Sequence, residues 1–142
     1  DNIDIFTCGI GTGGTFSGVS KALKETNSNV KCIAIEPASS PMISKGESGA
    51  HLIQGIGANF VPKNFLKEYC DEIMTITSEE AIEEAIAFTK QTGIMVGISS
   101  GANIAGAKKL AKQYPTKNIV TVAPDGLEKY FSMVRLDDNE ES

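Results

Sequence analysis

The sequence has no tryptophan, a single histidine and three cysteines, and each shortage excludes a class of chemistry. Because His51 is the only imidazole, a Ser-His or Cys-His nucleophilic pair can be built only around that residue. Cys8, Cys32 and Cys70 are far apart and form no Cys-x-x-Cys pair, so we expect three reduced thiols. Without a cysteine pair or a histidine cluster, we also expect no metal site.

Long apolar runs and basic clusters are missing as well. No hydrophobic stretch approaches the roughly 20 residues that a membrane-spanning helix needs, and we expect no signal peptide. The formal net charge of -5 and the scattered lysines argue against a nucleic-acid surface. We therefore expect a cytoplasmic protein that has neither a membrane nor a nucleic-acid partner.

The chain has the size and composition of one globular domain. Its 142 residues are 41% hydrophobic and 22% charged, which is enough apolar material for a core. The first residue is Asp and a strand pattern begins almost at once, so we expect a piece of a longer protein. We predict one α/β domain over residues 1–136 and an acidic, disordered tail over 137–142.

Hydrophobic periodicity predicts strands that alternate with helices, which is the pattern of a mainly parallel, open sheet flanked by helices. Ser78, followed by acidic residues, is the predicted N-cap of the second helix. A long segment rich in Gly, Ser and Pro, from Pro37 to about Pro62, is typical of a functional loop. The predicted strands are 3–8, 31–36, 72–77 and 118–123, and the predicted helices are 16–25, 78–92 and about 103–114.

The most informative stretch is the glycine-rich turn Gly11–Thr15, which lies between the first predicted strand and the first predicted helix. This arrangement aims backbone N–H groups and a helix N-terminus at an anion, usually a phosphate. The hydroxyls of Thr12 and Thr15 add donors that suit a terminal phosphate with several free oxygens.

A dinucleotide-binding domain is the alternative interpretation of the same turn. Gly9, Gly11 and Gly14 match the GxGxxG fingerprint. Glu36 ends the next strand 22 residues after Gly14, near where an acid would bind a ribose hydroxyl. Spacing alone leaves both interpretations open.

Two further clusters of small residues accompany this turn. The first, Gly97-Ile-Ser-Ser-Gly101, precedes a helix, and such turns line one crevice at the carboxyl edge of a parallel sheet. On spacing alone, simple N-capping by Ser99 or Ser100 is the more economical explanation. The second cluster, within Ile53–Ala58, is equally compatible with an ordinary flexible connection.

Five motifs occur in the order and spacing that cysteine synthases show, and the chain resembles this family over essentially its whole length. These O-acetylserine sulfhydrylases are pyridoxal-phosphate enzymes of the tryptophan-synthase-β-like fold, and the resemblance covers only their C-terminal part. The motifs are Gly11-Thr-Gly-Gly-Thr15, Glu36-Pro37 with Ser40-Pro41, Ile53-Gln-Gly-Ile-Gly-Ala58, Gly97-Ile-Ser-Ser-Gly-Ala102 and Pro124-Asp-Gly126.

The resemblance implies pyridoxal 5'-phosphate as the cofactor and assigns residues to it. Ser99 would hydrogen-bond the pyridine nitrogen. A hydroxyl is too weak an acid to keep that nitrogen protonated, which makes the ring a modest electron sink suited to β-elimination. The residues that would hold the phosphate are Gly11, Thr12, Gly13, Gly14 and Thr15.

The resemblance also implies a substrate loop that moves as the site closes. Asn59 replaces a glycine that is usual in the family at the end of this loop, which puts loop mobility and substrate preference in question. Asn tolerates a positive φ better than most residues, so the turn itself is compatible with it. The loop residues are Gln54, Gly55, Ile56, Gly57 and Ala58.

No catalytic residue is assigned, because the family's Schiff-base lysine and its substrate-carboxylate loop belong to the N-terminal part. The lysines of this chain have the sequence context of solvated charges. We therefore expect the chain by itself to be inactive. The lysines considered are Lys21, Lys24, Lys45, Lys108 and Lys109.

By the same resemblance, the parent protein would be a homodimeric transferase that also has lyase chemistry. It would convert O-acetylserine and sulfide to cysteine and acetate. Cysteine synthases accept the C-terminal tail of serine acetyltransferase in the active-site cleft. A non-catalytic module that binds such a tail is therefore a third interpretation, beside the enzyme and the dinucleotide-binding domain.

Overall fold

The computed structural model describes residues 3–10, 14–41, 45–46, 49, 65–122 and 131–134, with the backbone alone at 14–15 and 131–134. None of the helices in these ranges combines the length and apolarity needed to cross a bilayer. The strands are β1 (Ile5–Gly9), β2 (Lys31–Pro37), β3 (Glu72–Ile76), β4 (Ile119–Val122) and β5 (Phe131–Val134). The helices are α1 (Gly14–Thr26), α2 (Ser78–Thr92) and α3 (Ile98–Gln113), and a 3₁₀ turn covers Lys67–Tyr69.

These strands form one sheet in the order β3-β2-β1-β4-β5. β1 pairs in parallel with β2 and β4, and β2 pairs in parallel with β3. The expected α/β class with a mainly parallel sheet is confirmed. β5, which pairs antiparallel with β4, was not predicted because its four residues, Phe131–Val134, give too short a pattern.

One face of the sheet packs against α1. Phe6 and Cys8 of β1 alternate onto this face and contact Phe16 of α1 in a single buried cluster. The Phe16 ring lies 6.0 Å from the Phe6 ring and 6.0 Å from the Phe65 ring, measured between centroids. Val19 and Leu23 continue the same helical stripe, so the apolar spacing of the sequence explains why α1 lies here.

The opposite face packs against α3, whose inner side consists of small residues. Ile35 contacts Ala102 and Ala105, near the start of α3. Leu110, near its end, packs with Ile119 at the start of β4. A Cβ at Gly101 would overlap the carbonyl oxygen of Ala81, so this glycine sets the close approach of α3 to α2.

Three predicted boundaries are corrected by the structure. The predicted N-cap Ser78 is wrong, because Thr77 caps α2 and Ser78 is its first helical residue. α3 begins at Ile98 rather than near Asn103, so the serine-rich turn is the first turn of the helix. α1 begins at Gly14, two residues before the predicted start.

Candidate functional site

The candidate site lies where the strand order of the sheet reverses. From β1 the chain proceeds to β2 and β3 on one side, and then returns to place β4 on the other side of β1. In open α/β sheets, ligands bind outside the carboxyl ends of the strands at such a reversal. Here those ends are Gly9 of β1 and Val122 of β4.

β1 and β4 diverge as they approach this edge. Their backbone pairing joins Ile5 with Ile119 and Phe6 with Val120, whereas the pairing of β1 with β2 continues to Gly9. Beyond these pairs, the Thr121 hydroxyl donates a 2.6 Å hydrogen bond to the Thr7 carbonyl. A side-chain hydrogen bond thus takes the place of backbone pairing between the carboxyl ends of β1 and β4.

Asn103 joins the two diverging strand ends. Its Oδ1 accepts a 2.8 Å hydrogen bond from the backbone N–H of Gly9, and its Nδ2 donates a 2.9 Å bond to the carbonyl of Val122. The side chain is buried, with the residue only 1% exposed. These bonds fix the first turns of α3 over the β1–β4 edge.

The first turn of α3 carries no side-chain cap. Its N-cap is Gly97, which makes no capping hydrogen bond through a side chain, and the turn contains no acidic residue. Ser99 and Ser100 lie inside the helix and are buried. The N-capping explanation for these serines is therefore wrong, since both lie after the position that a cap occupies.

Ser99 is one helical turn before Asn103, so both project from the same face of α3. Since Asn103 touches the last residues of β1 and β4, Ser99 is displaced from it toward the outside of the sheet edge. Of the predicted site residues, the structure thus positions Ser99 next to the β1–β4 reversal.

The other predicted site residues are described in part or not at all. Gly14 and Thr15 open α1, which follows β1 at the same edge and has no acidic residue in its first turn. The predicted residues outside the described ranges are Gly11, Thr12, Gly13, Gln54, Gly55, Ile56, Gly57, Ala58 and the Pro124-Asp125-Gly126 motif.

The thiol nearest to this edge is not set up as a nucleophile. Burial raises the pKa of Cys8 to about 12, with a smaller contribution from the neighbouring Cys32. Burial is also the first cause of the raised pKa of Cys32. Because the thiolate is the reactive form, these cysteines are inert core residues at neutral pH.

The lysines of the described ranges lie at the surface, where several of them form ion pairs. Lys24 pairs with Asp71 at 2.7 Å, and Lys109 of α3 pairs with Glu80 of α2 at 2.8 Å. A third pair joins Lys31 to Glu72 across the edge of the sheet at 2.9 Å. Of the lysines considered in the sequence, Lys24, Lys108 and Lys109 thus form ion pairs at the surface.

Comparison with known proteins identifies the family to which the chain belongs. Residues 1–125 match the family model of pyridoxal-phosphate dependent enzymes. The chain belongs to this family. The use of pyridoxal phosphate, which the resemblance implied, is thereby shown for the family to which the chain belongs.

Individual relatives show which members of this family the chain is similar to. The chain is 51% identical over 132 residues to cysteine synthase B of Campylobacter jejuni, across 93% of this chain and 44% of that protein. A hydrogen sulfide-producing enzyme of Fusobacterium nucleatum has a TM-score of 0.85 at 38% identity, across 89% of this chain and 44% of that one. A cysteine synthase of Entamoeba histolytica has a TM-score of 0.79 at 42% identity, across 83% and 36%. The chain spans less than half the length of these relatives.

The described residues fit the cofactor of this family. The first turns of α1 and α3 contain no acidic residue, and helix N-termini without carboxylates favour an anionic group such as a phosphate. Ser99 adds a buried hydroxyl in the first turn of α3.

Sequence reasoning missed Asn103. It is the one residue with a side-chain amide in the stretch from Ile98 to Ala111, and it stands four residues after Ser99. That spacing is the available signal, because residues four apart share a helix face.

Proposed function

We propose that this chain is the C-terminal, cofactor-binding part of a cysteine synthase. In this proposal the parent enzyme converts O-acetylserine and sulfide to cysteine and acetate. The observation that carries it is the position of Ser99, buried in the uncapped first turn of α3 beside the β1–β4 reversal. The cysteine synthases among the relatives support the choice of reaction.

Ser99 acts as the hydrogen-bond donor to the pyridine nitrogen. The positive end of the α3 dipole lies in the same turn and disfavours a second positive charge on that nitrogen. A hydroxyl, which does not supply a proton as an acid does, suits a neutral ring. The bound cofactor supplies an electron sink for the α carbon, so that acetate can leave the β carbon of O-acetylserine.

The phosphate is held by the turn between β1 and α1. Gly11, Thr12, Gly13, Gly14 and Thr15 are its proposed residues, and support comes from the start of α1 at Gly14. Helix N-termini bind phosphate through free N–H groups, and an acid in the first turn would oppose this. The Gln54–Ala58 loop is proposed to close over the substrate.

Among the residues that the structure describes, no lysine has the setting of a covalent attachment point for the cofactor, and we propose that the chain by itself is inactive. The lysines in the described ranges are exposed or ion-paired at the surface, as the pairs of Lys24 and Lys109 illustrate. Activity therefore depends on a lysine from another part of the native protein, which we propose to be a cytoplasmic homodimer. An acetyltransferase tail remains a candidate partner of its cleft.

The dinucleotide-binding alternative has less support. It needs the Glu36 carboxylate to reach a ribose hydroxyl, but Glu36 is only 2% exposed and lies in β2 opposite Thr75 of β3. Its ribose contact would require this carboxylate to become accessible.

The test is a cofactor titration of the full-length native protein. We expect saturable binding of pyridoxal phosphate with a Schiff-base absorption band, and formation of cysteine from O-acetylserine and sulfide. The matched control is NAD at the same concentrations. Saturable NAD binding without a Schiff-base band would overturn the proposal in favour of the dinucleotide domain.

A further inference from the structure

The carboxyl ends of β1 and β4 are joined by one side-chain amide in place of a backbone ladder. Continued parallel pairing would bond the N–H of Gly9 directly to the carbonyl of Val122, and the Asn103 carboxamide stands between these two groups instead. Asn103 reaches both from α3, so it connects three elements with a single carboxamide. Gly9 also leads directly into the residues before α1.

This position requires a side chain that accepts one hydrogen bond and donates another. Gly9 N–H can only donate and the Val122 carbonyl can only accept, so the bridging group must accept with one atom and donate with the other. A carboxylate can only accept and would oppose the Val122 carbonyl, whereas a protonated carboxyl group can do both. Leucine has a similar size and can do neither.

We propose that Asn103 is a positioning residue that fixes the separation of the β1 and β4 ends and thereby the crevice for the cofactor's phosphate. The proposal rests on the proposed function for the identity of the ligand. Asn103 acts through Gly9, whose N–H it holds at 2.8 Å, and therefore through the backbone that enters the glycine-rich turn. Burial of Asn103 at 1% exposure makes the brace rigid, because water cannot replace either hydrogen bond.

The experiment uses the full-length native protein with Asn103→Leu and Asn103→Asp. One readout is the pyridoxal-phosphate dissociation constant, expressed as the ratio of variant to wild type at each pH so that titration of the cofactor cancels. The other is hydrogen exchange of the Gly9 amide without cofactor, which does not depend on activity.

Two matched controls separate positioning from general stability. Asn29→Asp makes the same chemical change at an exposed residue before the amino end of β2. Thr7→Val removes a buried 2.8 Å hydrogen bond to the Ile33 carbonyl on the β2 side of β1. Neither control removes the hydrogen bonds that Asn103 makes to Gly9 and Val122.

We expect Asn103→Leu to weaken cofactor binding about tenfold or more and to speed exchange at Gly9 by a similar factor. Burial will raise the pKa of the carboxyl group that Asn103→Asp introduces, so this variant should show the defect at about pH 8 and lose most of it near about pH 5.5. The controls should give ratios that stay flat with pH and normal exchange at Gly9.

The proposal is overturned if the Asn103→Asp ratio does not change with pH, or if Thr7→Val weakens binding as much as Asn103→Leu. If the leucine variant does not fold, the pH series on the aspartate variant decides alone. Failure of the wild type to bind pyridoxal phosphate would instead overturn the proposed function. In that case the exchange rate at Gly9 still supports the brace if Asn103→Leu raises it, and overturns the brace if it does not.

Discussion

The N-termini of α2 and α3 pack against each other but satisfy their first turns in different ways. At α2, the Thr77 side chain accepts from the Glu80 N–H at 3.1 Å, and Glu80 accepts from the Thr77 N–H at 2.9 Å. At α3, the cap is Gly97, without a side-chain bond or an acid. The first end is closed by a capping box, whereas the second has no capping side chain.

This difference separates a structural helix end from a candidate binding end. A capping box stabilises a helix and removes its free donors. The N-terminus of α3 lacks this stabilisation and lies at a strand-order reversal, which is where open α/β sheets bind ligands. The contact between the two helices then holds the binding end in place.

The largest expected effect comes from breaking the contact between the two ends. Gly101→Ala places a Cβ against the Ala81 carbonyl and 2.9 Å from the Ala85 nitrogen, and neither backbone atom can move easily. We expect a loss of about 3 kcal/mol in the free energy of unfolding, measured by urea denaturation.

Gly18→Ala is the matched control for this change. Gly18 is exposed on α1, and a Cβ there meets nothing within 4 Å. The same substitution should raise the stability by about 0.5–1 kcal/mol, because alanine favours the helix. Equal effects at the two glycines would contradict the close approach of α2 and α3.

A smaller effect on stability is expected from removing the capping box of α2. Thr77→Ala removes the hydroxyl that caps α2 and should lower the free energy of unfolding by about 1 kcal/mol. Thr92→Ala, at the exposed end of the same helix, is the control, and it should change stability less. A Thr77→Ala variant as stable as the wild type would show that the capping box contributes nothing.

The sequence predicts some elements of the fold and of the two helix ends better than others. The alternating strand and helix patterns and the parallel sheet follow from apolar periodicity, and Ser99 follows from the family resemblance. The cap of α2 was misplaced by one residue because Thr77 and Ser78 are both good caps, and the strand end at Ile76 decides between them.

Asn103 could not be found by local rules, since its partners Gly9 and Val122 are distant in sequence. Its importance depends on the strand order, which places β4 beside β1. The start of α3 was misplaced for a related reason. Serine and glycine favour turns locally, but packing of α3 on the sheet and on α2 keeps them helical.

The smallest expected effect is the pH dependence of the stability that Glu80 gives to the capped end of α2. Burial would raise the pKa of Glu80, but hydrogen bonds from Lys109 and the Thr77 backbone outweigh it and hold the pKa below 4.5. A lowered pKa in the folded state means that the carboxylate stabilises the fold at neutral pH, and that this stabilisation is lost as the pH falls below about 4.5.

The check is the difference in unfolding free energy between the wild type and Glu80→Gln, measured from neutral to acidic pH. The difference should shrink as the pH falls, and it should be small because the side chain is 36% exposed. A difference that grows in acid would reverse the sign of the argument.

The most direct test of the contrast between the two helix ends is the pyridoxal-phosphate dissociation constant of the full-length native protein and two variants, Ser99→Ala and Thr77→Ala. Ser99→Ala changes the binding end and should weaken binding about tenfold through one lost hydrogen bond. Thr77→Ala changes the closed end and should leave the dissociation constant unchanged. Equal weakening by both variants, or normal binding by Ser99→Ala, would contradict the assignment of the cofactor to the first turn of α3.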